Sequence, residues 1–158
     1  MHSPVLLLLF SAGGHLYAME SRDVVEVIPR VSLRPAVNLA SPVAGVFNYR
    51  GTVVPVIDLS VLIHQRPSGH FLSSRIIMVT SGLSQGKSGD RCIGLLAEGV
   101  TDTISKPLQA FQSTGLSSDQ QFYLGGITLD ERGMVQILHL RQLLEHIHPP
   151  LDQIDLDQ

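Results

Sequence analysis

The stretch Gly45-Val46-Phe47-Asn48-Tyr49-Arg50-Gly51-Thr52-Val53-Val54-Pro55-Val56-Ile57-Asp58-Leu59 decides how this chain folds. Two short apolar runs, Gly45 to Phe47 and Thr52 to Ile57, flank the polar turn Asn48-Tyr49-Arg50-Gly51. β-Branched residues favour the pleated, half-buried surface of a strand, whereas Asn and Gly tolerate the backbone of a turn, so the stretch reads strand, turn, strand. Asp58 then offers a side-chain acceptor to start one capped helical turn or two over Asp58 to Ile63. Arg50 is the only charge between Arg34 and Asp58. Two readings of the turn stay open: Asn48 and Gly51 set it while Arg50 is solvated, or Arg50 presents a planar donor fork to an acidic partner group.

The same texture extends outward in both directions. The chain holds 15 Val and 11 Ile against two Lys and no Trp, in short runs separated by Gly, Pro, Ser and Asp, which is an all-β signature. Strands are predicted over Val5 to Phe10, His15 to Met19, Val24 to Ile28, Gly45 to Phe47, Thr52 to Ile57, Arg75 to Thr80, Cys92 to Ala97, Val100 to Ser105, Tyr123 to Leu129 and Met134 to Leu138. Ser11-Ala12-Gly13-Gly14 joins the first pair and Asp130-Glu131-Arg132-Gly133 the last. So many short strands overload one twisted sheet, and closure into two small packed barrels is expected. Beyond them, Leu140, Leu143, Leu144 and Ile147 fall on one face of a short C-terminal helix that is expected to end at His148-Pro149-Pro150. The segment from Arg30 to Pro42 is expected as an extended crossing, and Ser81 to Asp90 as a mobile surface loop. No internal repeat is visible. Residues 1–150 read as one domain and 151–158 as a frayed acidic tail.

Composition removes several classes of function. With 158 residues the chain suits one domain or two small subdomains, and a formal charge of -3 gives no basic excess for a nucleic-acid backbone. The opening apolar run Val5 to Phe10 is six residues long, where a membrane span needs about 20, so no direct membrane insertion is expected. Without a basic leader and a long apolar stretch, a cytoplasmic location is expected. Cys92, the only cysteine, is expected as a small buried apolar side chain.

Catalytic constellations are weak. Gly86-Lys87-Ser88 imitates part of a phosphate loop, but the glycine required five positions earlier is Ser81, and a strand follows instead of a helix. His139, His146 and His148 lack a neighbouring cysteine or carboxylate at ligand spacing, and no nucleophile-elbow motif occurs. The expectation is a non-catalytic chain without metal or cofactor. Val24-Val25-Glu26-Val27-Ile28 is more informative: a period of two puts Val25 and Val27 on one face and Val24, Glu26 and Ile28 on the other. Either an exposed apolar group sits beside a carboxylate as a binding patch, or the strand is buried on both faces with Glu26 at its rim.

These residues together resemble the CheW-like coupling domain of bacterial chemosensory systems. Gly45 to Leu59 is similar to that family's G-V-x-N-L-R-G-x-V-x-P-V-x-D-L signature, with Tyr49 where leucine is usual. Tyr17 to Pro29 is similar to its opening strand pair, with Val24, Glu26 and Val27 in register with a V-x-E-I/V element, and Cys92 to Ile104 to its G-x-x-V-D-x-V-x-x-V segment, with Glu98 replacing aspartate. The closing hairpin and Leu140 to Leu144 match its ending. The resemblance implies two packed SH3-like five-stranded β-barrels with a short C-terminal helix. It implies a non-catalytic adaptor between the cytoplasmic tip of methyl-accepting chemoreceptors and the regulatory domain of a CheA-type histidine kinase. Its implied receptor groove uses Val24, Glu26, Gly45, Asn48, Arg50, Gly51 and Val100; kinase contacts are implied at barrel ends without assignment to residues. A stand-alone monomer that joins receptor-array rings is expected. Tyr49 and the scarcity of lysine mark a divergent member, serving chemotaxis or a twitching-motility or surface-sensing pathway. The alternative is a scaffold or decoy that binds the kinase only.

Overall fold

The computed structural model describes residues 3–35, 42–80, 91–115 and 121–152, the last five of these by backbone alone. Within them the chain forms β1 (Val5–Ala12), β2 (His15–Glu20), β3 (Val24–Pro29), β4 (Val43–Tyr49), β5 (Thr52–Asp58), α1 (Leu59–His64), β6 (Arg75–Thr80), β7 (Cys92–Ala97), β8 (Gly99–Lys106), β9 (Leu124–Asp130), β10 (Gly133–Leu138) and α2 (Leu140–Asp152). The expected strands are all present: seven are longer by a residue or two at one or both ends, β6 and β7 match, and β9 is shifted by one residue. They make two five-stranded sheets of order β8-β1-β2-β10-β9 and β3-β6-β7-β5-β4. The second is contiguous in sequence; the first is assembled from both ends of the chain.

The two sheets share one plan. Replacing β3, β4, β5, β6 and β7 by β8, β9, β10, β1 and β2 converts the contiguous order into the split one. Each sheet has one parallel pair, β5 with β7 and β10 with β2, and a helix follows β5 and β10 alike. The chain leaving one edge strand bridges to the other edge in both, Arg34 with Val46 and Gln112 with Ile127, which closes each sheet into a barrel. Register irregularities recur at matching pairs, β3 with β6 and β1 with β8, β4 with β5 and β9 with β10. An internal repeat is therefore present in space although none is visible along the sequence, because the strands of the split barrel occur in permuted order.

Period-two alternation sends side chains of one strand into two different cores. Leu7 and Leu9 fill the split barrel with Ala18, Val135 and Ile137, while Leu8 and Phe10 point outward. Ile76 and Met78 fill the contiguous barrel with Val54, Val56 and Leu96, while Ile77 and Val79 point outward. The outward residues of both barrels meet each other and Leu140, Leu143, Leu144 and Ile147 of α2 in a third core, the largest of the three among the described residues. Strands buried on both faces read as continuous apolar runs, which is why Leu7-Leu8-Leu9-Phe10 and Ile76-Ile77-Met78-Val79 show so little alternation.

Three expectations change. The C-terminal helix continues through Pro149 and Pro150 to Asp152. A proline removes one donor and disfavours helical backbone in the residue before it, without prohibiting either at a helix end. Residues 151 and 152 thus belong to α2 and not to a tail, and 153–158 and the loop Ser81 to Asp90 lie outside the described residues. Cys92 is only half-buried, at the start of β7 beside the core of the contiguous barrel.

Polar contacts pin the seam between the barrels. Asp58 caps α1 by accepting from the Ser60 and Val61 amides at 3.0 and 3.4 Å, and its other oxygen accepts from the Ser68 amide at 2.9 Å. The Glu98 carboxylate accepts from the Gly13 amide of the β1–β2 turn and, at 2.7 Å, from the Gly69 amide beyond α1. His64, at the end of α1, lies over Gly13, with Nε2 2.9 Å from the Tyr17 hydroxyl and its ring stacked on His15 at 5.2 Å. Burial first, and the charge of His15 second, hold His64 below its ordinary value of 6.5. On acidification the unfolded chain takes up this proton before the folded one, so this contribution to stability is present above about pH 6.5 and declines below it. The melting temperature is expected to fall between about pH 7.5 and pH 5.5, and His64→Gln to flatten that fall; parallel curves for the two proteins would remove His64 as the cause.

Candidate functional site

The hairpin β4–β5 and the edge strand β3 build the site. Tyr49 pairs with Thr52, leaving Arg50 and Gly51 as a two-residue loop with φ of 52° and 88°. Positive φ at both central positions is the primed turn that matches strand twist, and it normally selects Asn-Gly. Here Arg50 occupies the first position, and the Gly51 amide donates to Asn48 Oδ1 at 2.8 Å, which offsets the local cost. Asn48 and Gly51 thus set the turn, as one reading of the sequence held, and they turn Arg50 back toward β3.

On β3, Val25 and Val27 are exposed, whereas Val24, Glu26 and Ile28 are half-buried. The strand is therefore not buried on both faces; its outer face is apolar, and Glu26 lies on the other face. Arg50 Nη2 donates to Glu26 Oε2 at 2.8 Å, and the Tyr49 hydroxyl donates to the same oxygen. The Arg50 guanidinium also lies over the Tyr49 ring, 5.1 Å from its centroid, and Phe47 meets that ring edge-on at 6.1 Å. The hydrogen bond to Glu26, chiefly, and burial raise the Tyr49 phenol above its ordinary value, so it remains a donor at neutral pH. The acidic partner group that the sequence left open for Arg50 is thus met first inside the chain, by Glu26.

Gly45 serves by geometry. It is buried with φ of 155°, at the irregularity between Val43 and its neighbour, and a Cβ there would stand 2.6 Å from the Arg34 carbonyl oxygen. Only glycine lets the chain leaving β3 bridge to β4, which holds Glu26 and the hairpin together. Val24 and Val100 lie on different barrels, β3 and β8, and each packs against the core between them. Of the seven residues expected to act together, then, Glu26, Asn48, Arg50 and Gly51 meet at the hairpin end, Gly45 supports them from within β4, and Val24 and Val100 border the seam. A groove of about 710 Å³ opens at that seam beside Val24, between β3 and the start of α2, lined by Val25, Leu140 and Leu144 and edged by Arg22, Asp23 and Arg141.

Sequence reasoning missed a counterpart on the split barrel. Arg132 of the β9–β10 hairpin pairs with Asp102 of β8 at 3.1 Å and with Asp130 at 2.9 Å. Val100-Thr101-Asp102 occupies the place of Val24-Val25-Glu26, and the hairpin segments 126–135 and 45–54 are equally long, each with an Arg-Gly pair at the turn. Burial pushes the Asp130 carboxyl up, but the hydrogen bonds and charge of Arg132 outweigh it and hold the group below its ordinary value. The available signal was the recurring V-x-acid and R-G spacing.

A pair of packed five-stranded barrels, each with a carboxylate–arginine contact between edge strand and hairpin, defines the structural class of the chain. Comparison with known proteins agrees with that class: the family model for the CheW-like domain matches residues 6–148, and the chain belongs to that family. It is 28% identical over 144 residues to the chemotaxis protein CheW of Klebsiella aerogenes, covering 87% of this chain and 80% of that one. It is 24% identical over 142 residues to CheW of Treponema pallidum, with the same coverage. The scaffolding protein TtCheW of Thermoanaerobacter tengcongensis has a similar structure, with a TM-score of 0.74 and 26% identity over 89% of this chain and 87% of that one. Among the described residues no helix is long and apolar enough to cross a membrane.

Gly45→Ala is expected to cost about 2–4 kcal/mol, because strain at positive φ adds to a clash with backbone that has nowhere to move. Urea denaturation reads this directly; wild-type stability in the variant would refute the close approach of Arg34.

Proposed function

We propose that this CheW-like protein is a non-catalytic adaptor that couples the cytoplasmic tip of methyl-accepting chemoreceptors to the regulatory domain of a CheA-type histidine kinase. The observation that carries this reading is that Glu26, which holds Tyr49 and Arg50, lies on β3 two residues from Val24, which lines the seam groove. A receptor tip is a helical hairpin, and a groove in which Val24, Val25, Leu140 and Leu144 lie among charged and polar residues suits an amphipathic helix laid into it. Val24 and Val100 supply apolar anchors from the two barrels, and Glu26 and Arg50 supply orientation. The protein acts in the cytoplasm, as a monomer recruited to receptor-array rings, in chemotaxis or in a twitching or surface-sensing pathway.

The test is a titration of the purified protein with the regulatory domain of a CheA-type kinase from the same organism, then with a receptor-tip fragment. Arg50→Ala and Glu26→Ala are each expected to weaken the receptor arm about tenfold while leaving the kinase arm and the melting temperature near wild type, since both are polar sites outside the cores. Val24→Arg should block the receptor arm sterically. Binding to the kinase alone would make the protein a scaffold or decoy, and unchanged receptor affinity in all three variants would move the receptor site elsewhere.

A further inference from the structure

We propose that Tyr49 is a positioning residue that fixes the Glu26–Arg50 pair and thereby selects a neutral carboxamide or peptide amide on the partner; this rests on the receptor-groove reading above. By itself the pair is a surface ion pair, with 72% of the Arg50 side chain and 34% of the Glu26 side chain exposed. Such pairs exchange rotamers freely and contribute little. Tyr49 changes that in two ways. Its hydroxyl donates a charge-assisted hydrogen bond to Glu26 Oε2, and its ring, backed by Phe47, carries the guanidinium on its face. A tyrosine has only two side-chain torsions, and here the ring is held between Phe47 and Arg50, so the ordering costs little entropy and is complete before a partner arrives.

The fixed geometry also states what the partner offers. Both contacts converge on Oε2, so Oε1 of Glu26 is the carboxylate oxygen that neither Tyr49 nor Arg50 uses, an acceptor beside the remaining N–H donors of Arg50. A partner carboxylate would meet Arg50 but be repelled by Glu26, and an ammonium would meet the opposite conflict. A carboxamide donates to Oε1 through its nitrogen and accepts from Arg50 through its oxygen, and it carries no net charge to be repelled. An asparagine or glutamine side chain, or an exposed peptide unit at a helix end, has this pattern.

The experiment compares wild type, Tyr49→Phe, Tyr49→Leu and Arg50→Ala. Affinity for the receptor-tip fragment is measured by calorimetry, and the Arg50 Nε–Hε resonance is followed by NMR in the free protein. Tyr49→Phe keeps the ring and removes the hydroxyl. It should weaken tip binding about fivefold and collapse the Arg50 resonance toward its solvent-averaged position; Tyr49→Leu should do both more strongly, and Arg50→Ala should weaken binding about tenfold. Should Arg50→Ala weaken binding while Tyr49→Phe matches wild type in affinity and spectrum, the positioning role is overturned and the groove reading survives. Wild-type affinity in Arg50→Ala overturns both. A tip fragment with its surface Asn and Gln changed to Asp and Glu should bind wild type more weakly; equal affinity would overturn the carboxamide assignment.

Discussion

The largest apolar core lies between the barrels and not inside either one, and the rest of the molecule depends on it. Among the described residues nineteen buried ones make up the shared core, against six in the split barrel and five in the contiguous one. Burial of apolar area is the dominant favourable contribution to folding, so most of it here is realised only when the two barrels are docked. The barrels are therefore not free to swing. Glu98 and His64 then fix register along the seam, since each joins the neighbourhood of α1 to the β1–β2 hairpin across from it, while Asp58 ties α1 to Ser68 within the contiguous barrel.

A rigid seam gives the candidate site its precision. Val24 and Val100 border the seam in fixed relation because β3 and β8 are held by the core that both residues touch. Glu26 and Arg50 link the two edges of the contiguous barrel, and Asp102 and Arg132 do the same for the split barrel. The two ends nonetheless differ in net charge. One carboxylate is shared by an arginine and a tyrosine in the first, and one arginine by two carboxylates in the second. Similar shapes with unlike charge let one fold distinguish two partners or two orientations of docking.

The strands were legible because β-branched runs, glycine turns and the Asp58 cap all act within a few residues. The outline of the site was legible too: Glu26 and Arg50 stood out as isolated charges among apolar neighbours. What joins them was not, because the contact between Tyr49 and Glu26 spans 23 positions and depends on the closure of β3 against β4. The repeat escaped for a related reason, since permutation separates the matching strands and leaves only short echoes such as V-x-acid. Cys92 and the proline-containing end of α2 were misjudged where local preference yields to the position of a residue in the finished fold.

The permuted order also bears on how the protein emerges from the ribosome. β3 to β7 follow one another, so the contiguous barrel needs no strand beyond Ala97 to close. β1 and β2 are synthesised first yet must wait for β8 to β10, and their pairings with those strands join distant parts of the chain. Such non-local pairing closes slowly, because a long loop must be ordered before the contact forms. During that interval the outer face of the contiguous barrel, with Ile57, Ile77, Val79 and Leu95, lacks the partners that cover it in the native state. A chain with only that barrel closed would present a sticky sheet face to its neighbours, and the synthesis of β8 to β10 is what allows it to be covered.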